Sequence, residues 1–378
     1  MATRSPNRKP LEELGGIFMP YGVEGREPVD VAQAVEGLGE EYAALREACL
    51  LMDSPTRGTV EITGADRIGF LNNMVTQELK GLRSGRSVRT FWLNRKGRID
   101  ADLRLLELGE RMWADVDVHR AGVVLETLGG YVFAEDVAIA DRTEHMHRMS
   151  LHGPRAESVL AKACAREIPL EPGGAREVEV AGAAVVVDRQ DSTGEAGLEL
   201  LARAEDAAVV FGALRDAGAE HGLRVGGWHA WNIARIEAGW PVYYLDFGPD
   251  SIPQETGVFA DRVSTTKGCY LGQEVVARLQ SLGKPKQRLV GLDLESDEPR
   301  AEAMTGDLLY AEGQEKPVGA VTSATRSPAL GDRAVAMAQV RYAQSEPGTQ
   351  LTLRTGDGVM RARVRERLAA LPAAEIRG

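Results

Sequence analysis

Lys267-Gly268-Cys269-Tyr270-Leu271-Gly272-Gln273-Glu274 puts a single thiol between two glycines, beside an aromatic ring, with a lysine upstream and a Gln-Glu pair downstream. Glycine on both sides lets the backbone take positive φ and lets another molecule come close to the main chain. A thiol beside a cation is drawn toward its thiolate form. Two readings stand together at this point: a buried turn whose cysteine packs, or a reactive segment.

Working outward, the chain changes character on either side of this stretch. After Gly283-Lys284-Pro285, short strands at Arg288 to Leu294, Val318 to Ser323, Ala334 to Arg341, Gln350 to Arg354 and Val359 to Arg365 alternate with turn residues, as in a small antiparallel barrel or sandwich. Before it, hairpins and helices interleave in a way that predicts two α+β units. Gly58 to Thr63 alternates as a strand. Asn94 to Gly97 is a hairpin turn between strands at Val88 to Leu93 and Arg98 to Leu108, and Arg111 to Val118 is a third strand. Strands at His145 to Leu151, around Ala181-Gly182 and at Leu198 to Leu201 form the second unit with helices through Ala165 and from Glu205 to His221. Tyr42, Leu45, Cys49 and Met52 share a helical face from Glu40, and Trp228 to Ala238 is a helix capped by Gly239. Met1 to Glu13 is polar and reads as a frayed arm, and Trp240 to Gly257 as a long loop.

The chain has 378 residues, enough for two or three domains, with 43% hydrophobic and 27% charged residues, an ordinary globular balance. A net charge of −11 argues against a general nucleic-acid binder. Cys49, Cys164 and Cys269 are odd in number and far apart, which points to reduced thiols and a cytoplasmic setting. No apolar run reaches membrane-spanning length, so no membrane partner is expected. No phosphate loop or Cys-x-x-Cys is present. His145 and His147 read as sheet residues, so no metal site is expected.

Asp100 and Asp102 share one face of a strand, either as a solvated face or as working acids. Asp191 to Glu199 is a glycine-broken turn feeding a strand. Its carboxylates suit a planar amino-pyrimidine or guanidinium-like group, although turn chemistry alone explains the glycines.

Taken together these segments resemble a family. Lys267 to Glu274 resembles the signature of the YgfZ-type folate-binding proteins, relatives of the glycine-cleavage T-protein, an aminomethyltransferase. Gly64 to Asp102, Thr193 to Glu199, Arg235 to Gly239 and Gly319 to Ser323 are similar to further elements of that superfamily, in the same order. The resemblance implies an α+β protein, a three-domain cloverleaf ring with two α+β lobes and a C-terminal antiparallel β-barrel. By the same transfer, the lobes are residues 1–57 with 145–225 and residues 58–144 with 226–283, and the barrel is 284–378.

The resemblance also implies tetrahydrofolate, or a one-carbon derivative, as ligand. It makes Glu199 the pterin-binding residue, with Glu195, Trp231, Arg235, Lys267 and Gln273 as further folate-binding candidates, and Cys269 and Asp102 as the catalytic candidates. The expected function is a folate-binding accessory protein for assembly or repair of iron–sulfur enzymes acting through Cys269, with those enzymes or their assembly proteins as partners. The alternative is a folate-dependent one-carbon transferase. Three positions depart from the T-protein pattern: Ala101 replaces the first acid of a pair, Trp231 an arginine, and Ser192 a tyrosine. Trp231 either stacks on the pterin or benzoyl ring or packs in its helix. Arg83, Arg86, Arg89, Arg95, Lys96 and Arg98 form a basic cluster that either meets the folate's glutamate tail or is a solvated face.

Overall fold

The computed structural model describes residues 5–23, 25–297 and 301–371. It has two compact units. One takes in Met1–Trp92, Asp100–Trp231 and Ser264–Tyr270, the other Leu93–Ile99, Asn232–Val263 and Leu271–Gly378. The octapeptide therefore straddles them, changing unit between Tyr270 and Leu271.

The first unit is built on two sheets. The six-stranded sheet runs Ala175–Val180, Ala183–Arg189, Gly197–Arg203, Met146–His152, Cys49–Asp53 and Leu223–Gly226, antiparallel except for the last pair. Its first hairpin turns on two residues, Ala181 and Gly182, both at positive φ, as the tight turn that matches strand twist requires. One face of the sheet carries Leu51, Met149, Leu151, Val185, Val187, Leu198 and Leu200 beneath the helices Ala156–Ala163 and Ala207–Gly218. Fully burying side chains such as Leu160, Phe211 and Leu214 there contributes roughly 1.5–3 kcal/mol each.

The five-stranded sheet runs Arg86–Leu93, Ile99–Glu107, Arg111–Asp117, Arg57–Thr63 and Ala138–Asp141. Leu106 and Trp113 from this sheet pack on Ala175, Val186 and Leu201 of the other. That contact leaves the free face of the six-stranded sheet opposite the five-stranded one, and the polar site described below lies there.

Two expectations are corrected. Cys49 is not on a helix: the helix is Leu38–Glu47, and Cys49–Asp53 is a strand buried on both faces, whose unbroken apolar run mimics a helical face. The amino-terminal segment is not a frayed arm from residue 5 onward. Arg8–Glu13 is a helix with Leu11 buried, and the Asn7 side chain donates to Asp53 at 2.7 Å. An antiparallel pair of strands, Ile17–Tyr21 and Val29–Ala34, follows, which the sequence reading did not anticipate.

In the second unit, Gln287–Glu295, Arg333–Arg341, Gly319–Ser327, Leu308–Tyr310, Gln350–Thr355 and Gly358–Val364 form a closed antiparallel barrel around Leu292, Leu309, Val340 and Leu353. The Arg235 to Gly239 element belongs to this unit. Arg235 is buried and donates to Asp246 and to the Ser323 hydroxyl, both at 2.6 Å, while Ser327 donates to Glu237. Gly239 sits at φ +69°, where a side chain would run into the backbone of Ala369.

Candidate binding site in the first unit

Strand register builds the site. Asp188, Glu199, Ser150 and Met52 lie opposite one another in successive strands, so they form one row across the six-stranded sheet. Val186, Leu201 and Arg148 form the next row. Both rows are on the face turned away from the helices, because alternate residues of a strand point to opposite sides. From the five-stranded sheet, Arg104, Asp115 and Thr59 form a matching row.

The charges of these rows interlock. Arg104 Nη1 is 2.8 Å from Asp188 Oδ2, and its Nη2 is 3.4 Å from Asp115 Oδ2. Asp115 Oδ1 takes the Nε of Arg57 at 2.9 Å and lies 3.1 Å from that of Arg148. Burial would raise the Asp115 carboxyl, but Arg148, Arg57 and Arg104 outweigh it and hold the group well below the usual carboxylate range. Asp188 is moved the other way, upward, by burial. Burial pushes Glu199 up to about 7, against the opposing pull of Arg104 and Arg148. No described residue donates a hydrogen bond to the Glu199 carboxyl. Arg148 is fully buried, yet none of its three side-chain nitrogens has a hydrogen-bond partner. A buried carboxyl without a donor and a buried guanidinium without an acceptor therefore lie at neighbouring positions on this sheet face.

Asp102 is half-buried two residues before Arg104 on the same strand, and so lies on the same face. Ala101 is fully buried on the opposite face. Trp231 donates from Nε1 to the Ser192 hydroxyl at 3.3 Å and begins an aromatic row, its ring 5.0 Å from Trp228, which lies 5.8 Å from Tyr21. The Tyr21 hydroxyl donates to Asp117, whose carboxyl burial moves upward.

The other sequence candidates are placed elsewhere. Glu195 is bound to Arg46 at 3.0 Å, and Arg46 also donates to the Thr193 carbonyl, so this pair holds the turn before Glu199. Lys267 donates to the carbonyls of Asn72, Val75 and Gln77 at 2.6, 2.7 and 2.8 Å, which commits all three of its donors. Cys269 is an exposed free thiol. Arg235 and Gln273 belong to the second unit, Gln273 as the first residue of the helix Gln273–Leu282, entered through Gly272 at φ +80°. Of the candidates, the pterin-binding Glu199 and the catalytic Asp102 are on the facing polar sheet faces. Among the described residues no group of histidines, cysteines and acids is arranged to hold a metal ion, and no helix is long and apolar enough to cross a membrane.

The sequence reading missed Arg104, Arg148, Asp115 and Asp188. The available signal was a lone charge inside a buried strand, as in Asp188 after Val185, Val186 and Val187, or Arg104 between Leu103 and Leu105.

Two mixed α/β sheets bearing a buried acid–guanidinium site, with a separate closed barrel, make this a GcvT-like protein in fold. The chain belongs to the glycine-cleavage T-protein family: the GCVT N-terminal domain matches residues 11–261, and the glycine cleavage T-protein C-terminal barrel domain matches residues 287–369. It is 32% identical to an aminomethyltransferase of Saccharopolyspora erythraea over 355 residues, covering 92% of this chain and 93% of the relative. It is 34% identical to an aminomethyltransferase of Geobacillus kaustophilus over 324 residues, 84% of this chain and 83% of the relative. The crystal structure of glycine cleavage system aminomethyltransferase T from Bartonella henselae superposes with a TM-score of 0.85 at 22% identity, covering 98% of both chains. These relatives correct the expected function. They are named aminomethyltransferase, which overturns the iron–sulfur accessory reading and favours the one-carbon transferase alternative.

Proposed function

We propose that this chain is a folate-dependent one-carbon transferase that takes tetrahydrofolate as acceptor and a methylamine or aminomethyl compound as donor. The observation that carries the reading is the buried Glu199 carboxyl, which no described residue bonds and which lies beside the unspent donors of Arg148. The residues fit a reduced pterin, whose amino-pyrimidinone ring presents adjacent N–H donors and a carbonyl acceptor along one edge. When bound, tetrahydrofolate supplies the ring nitrogen that accepts the one-carbon unit.

Glu199, as a carboxylate, accepts two N–H groups from that ring and fixes its plane. The Arg46–Glu195 pair holds the turn that delivers Glu199. Asp102 holds or moves the proton exchanged at the reacting nitrogen, a task in which one acid suffices. Trp231 and Trp228, their rings 5.0 Å apart and tilted by 51°, offer aromatic faces to a planar ring. Lys267 to Glu274 marks the chain, within the superfamily, as YgfZ-like in sequence, and its Lys267 anchors that segment to the residues around Val75. Three free cysteines accord with a reducing compartment.

The test is product formation. Purified chain, tetrahydrofolate and a panel of aminomethyl and methylamine donors are expected to yield methylene- or methyl-tetrahydrofolate, with Asp102→Asn lowering kcat by roughly 100-fold or more. No folate product with any donor contradicts the proposal.

A further inference from the structure

The strand Ala175–Val180 is an edge of the six-stranded sheet, paired on one side only. The Gly174 carbonyl accepts from the Arg189 N–H, so Gly174 and the even-numbered residues after it turn their backbone groups toward the neighbouring strand. The odd-numbered residues turn theirs outward. The Ala175 N–H is met by the Gly85 carbonyl and the Gly173 carbonyl by the Ser87 N–H, a single bridge to the start of the strand Arg86–Leu93. There the pairing stops, because the chain before Arg86 turns away at Ser84-Gly85, with Gly85 at φ +84°. No described residue bonds the outward amides of Glu177 and Glu179.

This edge borders open space. Ala175, Arg176 and Glu177 wall a cavity of about 990 Å³ whose apolar surfaces come from Leu108, Leu170 and Pro172. Along the strand, Glu177 and Glu179 are exposed on one face. Arg176 is exposed on the other, ahead of Val178 and Val180, which are buried beneath the helices. An unpaired edge beside a side-chain cavity is a setting in which an extended segment adds as a further strand.

The charges select the segment. Two copies joined edge to edge about a two-fold axis set outward residues against outward residues. With Ala175 already bonded, every such register opposes one glutamate of the pair to another. Directly opposed like charges are destabilising, which disfavours a second copy of this chain. A strand with basic residues at alternate positions meets both carboxylates.

We propose that the Ala175–Val180 edge is a docking site for an extended basic segment of a partner protein, paired antiparallel with the backbone of Glu177 and Glu179. Two basic side chains lie opposite the glutamates, an acidic one opposite Arg176, and the apolar side chain that follows enters the cavity beside Leu108. The surface does not depend on the folate reading.

The probe is a fluorescein-labelled peptide amide, Lys-Val-Lys-Glu-Leu, compared with its charge-swapped counterpart Glu-Val-Glu-Lys-Leu by fluorescence anisotropy against the full chain. Wild type is expected to bind the first saturably and at least about 10-fold more tightly than the second, since three cross-strand charge pairs are reversed. Changing both exposed glutamates, Glu177→Lys with Glu179→Lys, is expected to invert that order. Charge attraction without strand addition would do the same, so amide exchange followed by NMR is the second readout. The Glu177 and Glu179 N–H groups are expected to become protected when the peptide binds. No saturable binding, equal affinity for the two peptides, or binding without that protection overturns the proposal. So does a dimer of the chain alone, seen by sedimentation, in which these two amides are already protected, because the edge then belongs to a second copy.

Discussion

The ammonium of Lys267 sits 2.7 Å from the carbonyl oxygen of Val75, just past the end of the helix Arg67–Met74. With the carbonyls of Asn72 and Gln77 it forms a three-point clamp at a helix carboxyl end, where a cation is favoured. Burial draws the lysine's pKa down to about 8, so it is still mostly charged at neutral pH. The lysine that opens the octapeptide therefore spends its charge on backbone, and none of its donors remains for a folate tail or for Cys269.

Lys267→Met is expected to lower unfolding free energy by about 3 kcal/mol, because three carbonyls lose a charged donor at once. Urea denaturation measures this. The folded fraction should bind folinic acid as wild type does, whereas a ligand-binding lysine would weaken that affinity.

Glu199 predicts a pH dependence of definite sign. Its folded pKa of about 7 lies above the ordinary glutamate value, so the folded state holds a proton that the unfolded chain releases. Its stabilising effect is complete below the unfolded pKa and is lost as pH rises through about 7. Glu199→Gln removes the titration. Relative to wild type, the variant should gain up to about 3 kcal/mol in stability between pH 5 and pH 8. Denaturation midpoints at the two pH values check this; an equal difference at both contradicts it.

Arg235 and Asp246 form a buried pair in the second unit, backed by Ser323. Arg235→Ala should cost about 3–5 kcal/mol by stranding the Asp246 charge. Thermal and chemical unfolding read this directly. Unaltered stability would mean that the arginine serves something other than the barrel.

Cys269 should be the fast thiol. It is exposed, Cys49 is fully buried, and Cys164 is partly covered. A thiol-reactive chromophore is expected to label one cysteine quickly in the native protein and all three after denaturation. Loss of the fast phase in Cys269→Ala confirms the assignment.

Much of this fold could be read from residue patterns where each element carries its own signal. Gly58 to Thr63, the Asn94 to Gly97 turn and the barrel strands alternate or turn as their residues demand, and Gly97 indeed sits at φ +70°. Legibility failed where burial is two-sided. Cys49–Asp53 shows no alternation because both faces are covered, and Leu223–Gly226 is too short to carry a pattern beside its glycines. The site was half legible. Glu199 and Asp102 stand out because they recur in a recognisable motif, but Arg104, Arg148, Asp115 and Asp188 are distant in sequence and meet only through strand register. Glu195 illustrates the limit of motif transfer, since its neighbour Arg46 comes from a helix that no local pattern connects to it.

The central claim is that Glu199 holds a folate, and calorimetric titration of folinic acid into wild type and Glu199→Ala tests it most directly. The account predicts saturable binding by wild type and a loss of at least about 30-fold in Glu199→Ala, the effect of removing a buried carboxylate that accepts two hydrogen bonds. Equal affinities in the two proteins, or no binding by wild type, would contradict it.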